Sequence, residues 1–203
     1  MIEDVLYYWQ TGGLLMPVLA LVCYGIWFTF FRLRGALLRI TRAPADIEDG
    51  FRHRLAQHTL EENLTYYEQA SNTLSRILGR ALRTAGRSGN AAEAFDSVQD
   101  AHMERASRDL VLLTALTAAA PLLGLLGTVI GMVSTFQGVS GTFGNTTVQV
   151  SGGISQALIT TQCGLVVAIP GLFGRARIHR LQDEARARLA LCRVHFVFYE
   201  ERS

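Results

Sequence analysis

The sequence predicts an all-α membrane protein, with three transmembrane helices and long cytoplasmic helical extensions. Three long runs, at residues 14–31, 110–136 and 152–173, contain no Asp, Glu, His, Lys or Arg. At about 1.5 Å per residue, a helix over each run is long enough to cross a hydrocarbon layer of roughly 30 Å. The segments between and after them mix Arg, Asp and Glu, and the mean hydropathy of +0.22 is typical of a small polytopic protein with water-exposed parts.

The first predicted span, residues 14–31, follows a short segment that carries Glu3 and Asp4 but no basic residue. Its aromatic residues, Tyr7, Tyr8 and Trp9, are typical of a membrane interface, so residues 1–13 are predicted to be periplasmic and interfacial. Several arginines come directly after the span. A cleavable signal peptide has the opposite charge order, and we therefore expect a retained span with the N-terminus outside.

Residues 32–109 are predicted to form a cytoplasmic helical region. Pro44 and Asp46 indicate a helix start, and the apolar spacing in residues 63–85 predicts one helix, which the glycines and serine of residues 86–90 end. A further helix is predicted from Ala91 through the second span without a break. Its 46 residues to Phe136 would extend roughly 69 Å, so about half would project from the bilayer. Pro121 predicts a kink within it.

Residues 137–151 contain no charge and many small polar residues, which predicts a short periplasmic loop. The third span, residues 152–173, precedes an arginine-rich helical tail, residues 174–203, predicted to be cytoplasmic. The arginines after spans one and three and before span two agree on a single topology, in which the N-terminus is periplasmic and the C-terminus is cytoplasmic.

Composition excludes several function classes. All nineteen basic residues are arginine, so a Walker A phosphate loop is excluded by the lack of lysine. The net charge of +2 does not suit a nucleic-acid-binding protein. The three cysteines are far apart, which predicts no metal site or disulfide framework. No nucleophile, base and orienting group form a recognisable set, so we expect no enzyme activity, cofactor or metal.

Small and weakly polar residues form a stripe along the second and third spans. In the second span the spacing alternates between three and four residues, which places the members on one helix face. Such stripes either let helix backbones pack closely or line a narrow polar path, and the spacing leaves both interpretations open. Because the three spans carry no titratable carboxylate, imidazole or basic group, a proton path would need another chain's carboxylate. The stripes comprise Thr114, Thr117, Pro121, Gly124, Thr128, Gly131 and Thr135 in span two, and Gly153, Ala157, Thr160, Gly164, Ala168 and Gly171 in span three.

Two motifs, GLLGTVIG at residues 124–131 and GISQALITTQCGLVVAIP at residues 153–170, closely resemble those of the ExbB/TolQ/MotA proton-channel family. The order of one span, a large inner region, two spans and an inner tail resembles the three-span ExbB and TolQ branch. The resemblance implies a stator subunit of a bacterial inner-membrane motor that uses the proton-motive force to energise TonB-dependent outer-membrane transport. It also implies a homo-oligomer, a pentameric ring in membrane lipid, around ExbD/TolR-like single-span chains that carry an intramembrane aspartate, with a TonB-like or TolA-like protein as a further partner.

The resemblance also implies roles for individual residues. Thr128 and Thr161 match the threonines that face the proton path, and Thr160 and Gln156 are predicted to line it with them. ExbB has a glutamate at the position of Gln156, so a charge is replaced there by an amide. The residues predicted to pack the helices together are Gly124, Gly127, Gly131, Gly164, Ala168, Gly171 and Pro121.

Three alternatives to an ExbB-like subunit remain open. The first is a TolQ-like subunit for cell-envelope integrity, and the second is a non-conducting membrane scaffold in which the stripes serve assembly alone. The third is a small secondary transporter, although broken helices and an internal repeat are not evident in the sequence.

Overall fold

The computed structural model describes residue 9 and residues 11–44, 46–70, 72–140 and 146–200. These residues form six α-helices of ten residues or more, and no strand occurs among them. Three helices are long and apolar enough to cross a membrane, which confirms the all-α class with three spans. The helices are α1 (Leu15–Thr41), α2 (Asp46–Gln57), α3 (Leu60–Gln69), α4 (Thr73–Ser88), α5 (Ala91–Ser140) and α6 (Thr146–Glu200).

Local sequence explains several helix ends. The Glu62 carboxylate accepts a hydrogen bond from the Thr59 backbone N–H at 3.1 Å, as in a capping box, and this bond lowers the pKa of Glu62. Gly89 ends α4 in the left-handed conformation, with φ of 67°, and its N–H donates to the Ala85 carbonyl. The Asn90 side chain then accepts a bond from the Glu93 N–H at the start of α5.

The helices differ from the predicted boundaries in two places. The single helix expected over residues 63–85 is divided into α3 and α4, because Ala70 and Asn72 have extended backbone and Asn72 occupies the N-cap position of α4. The loop expected over residues 137–151 is shorter, because α5 continues to Ser140 and α6 begins at Thr146. Residues 141–145 of that loop, and residues 1–8 and 10 of the predicted N-terminal segment, lie outside the described residues.

The chain divides into two compact units, and the first comprises Met1–Phe30 with Val111–Ala176. It contains the apolar part of α1 and the membrane-spanning parts of α5 and α6. Side chains turned away from the contacts between these helices are large and apolar; among them Leu14 is 86% exposed and Phe173 is 75% exposed. Such a surface suits lipid rather than water.

The second unit comprises Phe31–Leu110 with Arg177–Ser203. Its core contains Phe51, Phe95 and Phe196, whose ring centroids lie 6.2 Å apart in the pairs Phe51–Phe196 and Phe95–Phe196. The α4 helix carries a buried leucine and isoleucine stripe. The fully buried apolar residues of this unit also include Leu74, Ile77, Leu78, Leu82 and Leu189.

Arginines provide several polar contacts in the second unit. One guanidinium nitrogen of Arg188 lies within hydrogen-bonding distance of the carbonyl oxygens of Ile40, Thr41 and Ala43, so its two hydrogens are shared among acceptors at and just after the end of α1. Arg193 forms a two-bond ion pair with Asp96, at 2.5 and 2.7 Å.

Candidate functional site at the contact between spans two and three

Glycines bring the membrane-spanning parts of α5 and α6 into backbone contact. A Cβ atom on Gly164 would lie 2.7 Å from the Ala120 carbonyl oxygen and 3.1 Å from the Gly124 Cα. A Cβ on Gly131 would lie 2.6 Å from the Gly153 carbonyl oxygen. Side chains larger than hydrogen at these glycines require the helices to shift. We call this region the span contact, and it consists of the facing residues 117–135 of α5 and 153–171 of α6.

The two small-residue stripes lie on the facing sides of the span contact. The side of α5 that carries Leu122, Leu126, Val129 and Val133 is exposed. The stripe residues that are buried include Thr117, Gly124, Gly131 and Thr135 of α5 and Gly153, Ala157, Thr160, Gly164, Ala168 and Gly171 of α6. Gly127 is also buried, and Pro121 is half-buried within the uninterrupted α5.

Thr160 is fully buried in the span contact. Its Oγ1 lies 3.0 Å from each of the carbonyl oxygens of Gln156 and Ala157 on its own helix. A Cβ placed on Gly127 would lie only 2.1 Å from this Oγ1, so the threonine occupies the space that the glycine leaves open. Thr160 therefore fills the contact and satisfies its hydroxyl within its own helix.

Thr161 lies at the edge of the span contact and is half-buried. Its Oγ1 is 3.2 Å from the Gly124 carbonyl oxygen on α5 and 3.1 Å from the Ala157 carbonyl oxygen on α6. A hydroxyl has one hydrogen, so it donates to one of these carbonyls at a time, and its lone pairs accept from other donors. The Thr161 hydroxyl can thus donate to a carbonyl of either span, and a change from one acceptor to the other breaks no backbone hydrogen bond of α6.

Thr128 lies beside the span contact and is also half-buried. Its hydroxyl donates to the Leu125 carbonyl of its own helix at 2.6 Å. This leaves its oxygen lone pairs as acceptors toward the side of α5 where Leu125 and Val129 are exposed. The hydroxyls of Thr128 and Thr161 are therefore more accessible than that of Thr160.

Gln156 is half-buried and meets the chain just before α1. A Cβ on Gly13 would lie 2.5 Å from the Gln156 Nε2, and Gly13 has a φ of 63°, in the left-handed region that favours glycine. We did not predict this contact from the sequence. The Gly12-Gly13 pair directly before an apolar run was the signal, because it permits close approach at a turn.

Gln162 points to the other side of α6 and is exposed. It borders an apolar cavity of about 310 Å³ that Trp9, Cys23 and Val166 also line. Small residues also allow the first span to approach α5 and α6 closely. A Cβ on Gly25 would lie 3.2 Å from the Leu116 side chain, and a Cβ on Gly174 would lie 3.1 Å from the Phe30 ring.

The span contact combines close packing with accessible hydroxyls and an amide, and the three apolar runs of the sequence contain no Asp, Glu, His, Lys or Arg. Hydroxyls and amides donate and accept hydrogen bonds, but they do not take up a proton at physiological pH. This arrangement can orient water or a polar side chain, and a proton path along it would need a carboxylate from another chain.

Comparison with known proteins assigns the family. Residues 39–190 match the MotA/TolQ/ExbB proton channel family. The biopolymer transport protein exbB1 of Vibrio cholerae is 41% identical over 81 residues, which is 39% of this chain and 36% of that protein. A putative ExbB homolog of Methanothermobacter thermautotrophicus is 30% identical over 167 residues, 81% of this chain and 59% of that protein.

The Tol-Pal system protein TolQ of Haemophilus influenzae is 32% identical over 85 residues, which is 42% of this chain and 37% of that protein. The matches to the Vibrio cholerae and Haemophilus influenzae proteins thus cover less than half of those relatives' length, although the family match includes both the second and the third span. With three helices able to cross a membrane, this chain is a multi-pass membrane protein that belongs to the MotA/TolQ/ExbB proton channel family.

Proposed function

We propose that the chain is an ExbB-like stator subunit of a motor in the bacterial inner membrane, driven by the proton-motive force, that energises TonB-dependent outer-membrane transport. The observation that carries this proposal is the position of the Thr161 hydroxyl, whose oxygen lies within hydrogen-bonding distance of a carbonyl on each of the two spans, at the edge of a tightly packed contact that contains no Asp, Glu, His, Lys or Arg. Identities of 41% to a protein named ExbB and 32% to a protein named TolQ favour the ExbB assignment. In this assignment the chain has no enzymatic activity.

The missing carboxylate defines the partner. An ExbD/TolR-like single-span protein supplies an intramembrane aspartate, and a TonB-like protein receives the mechanical output. Copies of this chain form a ring, which we propose to be a pentamer, around the partner's spans. The N-terminus lies in the periplasm, and the arginine-rich segments lie in the cytoplasm, in agreement with the positive-inside rule.

The threonines of the span contact take different roles in this proposal. Thr161 and Thr128 present the hydroxyls that guide water and protons to the partner's aspartate, because both are half-buried and keep free lone pairs. Thr160 belongs to the same wall but acts by filling the space at Gly127. Gln156 contributes a fixed amide, held against Gly13, where ExbB has a carboxylate.

Proton uptake changes the charge of the partner's aspartate and thereby its affinity for a polar wall. A neutral aspartate loses its ionic attraction to hydroxyls and water, which lets the partner pair shift relative to the ring. Each proton that crosses supplies about 2.3 kcal/mol per 100 mV of membrane potential, so several protons provide enough free energy for stepwise motion.

Threonine-to-valine variants test the proposal, because valine matches threonine in shape but lacks the hydroxyl. We expect Thr161→Val and Thr128→Val each to lower proton flux on the order of tenfold or more, in vesicles that contain this chain and its single-span partner. Thr117→Val is the matched control. Thr117 is buried in the same contact and donates to the Leu113 carbonyl, so its variant should keep wild-type flux. Full flux in both test variants would overturn the roles assigned to the two hydroxyls.

Two other functions have specific support. TolQ relatives favour a TolQ-like subunit for cell-envelope integrity, which would pair with a TolA-like chain. The bonds of Thr160 and Thr128 to carbonyls of their own helices favour a non-conducting scaffold. Flux with an aspartate-substituted partner separates the scaffold from the motor, because only the motor loses flux. Restoration of growth in strains that lack either a TonB-system or a Tol-system subunit separates the two motors.

A further inference from the structure

The second unit contains a small polar cavity between α3 and α4. Tyr67, Arg76, Gly79, Arg80 and Arg83 line it, and its volume is about 130 Å³. A Cβ on Gly79 would lie 3.1 Å from the Tyr67 Cβ, so the glycine permits the close approach of the two helices at the cavity. Tyr67 itself is 2% exposed. The cavity thus has a buried residue on its α3 side, whereas the side chains of Arg76, Arg80 and Arg83 on α4 are exposed.

The wall of this cavity on α4 is strongly basic. The helix sequence TLSRILGRALRTAGRS contains arginines at intervals of four, three and four residues and no acidic residue. This spacing places Arg76, Arg80 and Arg83 on one side of the helix, opposite its buried apolar stripe. Within the part of the chain that the structure describes, Arg76 and Arg80 form no ion pair with a carboxylate.

The positive field of this cluster extends to a neighbouring helix. Burial lowers the pKa of His102 on α5, and the charges of Arg80 and Arg105 lower it further. A cationic imidazole is thus disfavoured at the side of α5 that faces Arg80. Several guanidinium groups that share a partly enclosed space repel one another, and an anion between them removes this repulsion.

We propose that the cavity lined by Arg76, Arg80 and Tyr67 binds a phosphate-type oxyanion. The guanidinium fork of an arginine matches two oxygens of a phosphate group, and Arg76 and Arg80 present two such forks to one small space. Two cationic forks on one side of a helix suit a tetrahedral anion with several oxygens better than a single planar carboxylate on a peptide. This site is separate from the span contact and from the function proposed for it.

A phosphate group in this cavity belongs either to a free phosphate compound or to the headgroup of an anionic lipid. Isothermal titration calorimetry on the full chain, in an uncharged detergent at constant ionic strength, measures three ligands. Inorganic phosphate represents the free compound, short-chain phosphatidylglycerol represents the headgroup, and acetate represents a carboxylate. Saturable binding of either phosphate ligand supports the proposal, and the tighter of the two identifies the source.

Arginine variants show whether binding occurs at this cavity. The double variant Arg76→Gln/Arg80→Gln is expected to weaken binding at least on the order of tenfold, because charge-assisted hydrogen bonds are lost. Arg87→Gln removes an exposed arginine of the same helix that does not line the cavity, so its affinity should stay within about twofold of wild type. Circular dichroism verifies that each variant keeps its helicity. If the double variant does not, the single variants Arg76→Gln and Arg80→Gln replace it, each with a weakening of about tenfold expected.

Three results would overturn the proposal. The first is the absence of saturable binding by both phosphate ligands. The second is an unchanged affinity in the arginine variants that keep their helicity. The third is binding of acetate as tight as that of phosphate, which would indicate a carboxylate-binding surface instead.

Discussion

Within each of the two units, the helices are held together by a different kind of contact. In the first unit, helices meet through glycines, so that a Cβ on Gly164 would collide with the Ala120 carbonyl. In the second unit, helices meet through large side chains. The ring centroids of Phe51 and Phe95 each lie 6.2 Å from the ring centroid of Phe196. Close glycine contacts thus occur in the part whose outer surface is apolar, and the buried aromatic residues that the structure describes are in the part that carries the ion pairs.

The difference follows from the two solvents. Water drives large apolar side chains together, which stabilises a core of rings and leucines. Lipid gives no such driving force, because its chains are as apolar as leucine, so helix association depends on close contact and on hydrogen bonds between helices. The weakly polar stripe of the first unit therefore serves mainly to let its helices pack closely. The Thr161 and Thr128 hydroxyls at its margin are the groups to which we assign the proposed role in proton transfer.

The largest expected effect comes from the aromatic core of the second unit. Phe95 is 1% exposed, and Phe95→Ala is expected to lower the free energy of unfolding by about 3–5 kcal/mol through lost burial and the resulting cavity. Phe173→Ala in the first unit should change it little, since that ring is 75% exposed. The free energies of unfolding of the two variants are compared by thermal and denaturant unfolding in the same detergent, monitored by circular dichroism. Equal losses would contradict the difference between the two packing modes.

A loss of stability at alkaline pH is expected from the second unit. Burial raises the pKa of Tyr67 from 10 to about 12. Below pH 10 the phenol is neutral in both the folded and the unfolded chain, and its contribution to stability is complete. Between pH 10 and about 12 the unfolded chain ionises first, so about 2–3 kcal/mol of stability is lost over this window.

Denaturant unfolding at a series of pH values detects this step. Tyr67→Phe should remove it, because phenylalanine does not titrate. Tyr66→Phe is the matched control, since Tyr66 is the neighbouring residue but is 52% exposed, and the step should persist in it. Persistence of the full step in Tyr67→Phe would assign it to another group.

A smaller effect is expected from backbone contact in the first unit. Gly164→Ala is expected to cost about 1–3 kcal/mol, because the added methyl group forces α5 and α6 apart. Gly152→Ala is the control on the same helix, since nothing lies within 4 Å of its Cβ position, and it should leave stability unchanged or raise it. The thermal unfolding midpoints of both variants in detergent provide the measurement. Equal midpoints would mean that the helices do not need this contact.

Prediction from the sequence succeeded for the features that hydropathy and helical periodicity determine without an alternative. Long uncharged runs indicated the spans, and the small-residue spacing indicated which faces of α5 and α6 are buried. It failed at the boundary between α3 and α4, because the apolar stripe continues across Asn72 although the backbone there is extended. The periodicity of apolar residues indicates which residues face a core. Because two consecutive helices can pack on the same core, one pattern can continue through the break between them.

The candidate site shows the same limit. Spacing placed Thr160 and Thr161 together on one side of α6, yet their surroundings differ. Thr160 is fully buried against Gly127, whereas Thr161 is half-buried and reaches the Gly124 carbonyl. The position of a neighbouring helix decides this difference, and a pattern within one helix contains no information about it.

The sequence by itself determined the all-α class, the three apolar runs, the absence of Asp, Glu, His, Lys and Arg within them and the two glycine-rich stripes, since these follow from composition and from the helical repeat. Only the tertiary structure decided that the stripes face each other, that Gln156 lies against Gly13, and that three arginines and a tyrosine surround one cavity. The physical reason is that such contacts join residues far apart in the chain, and their geometry depends on how closely particular glycines let backbones approach.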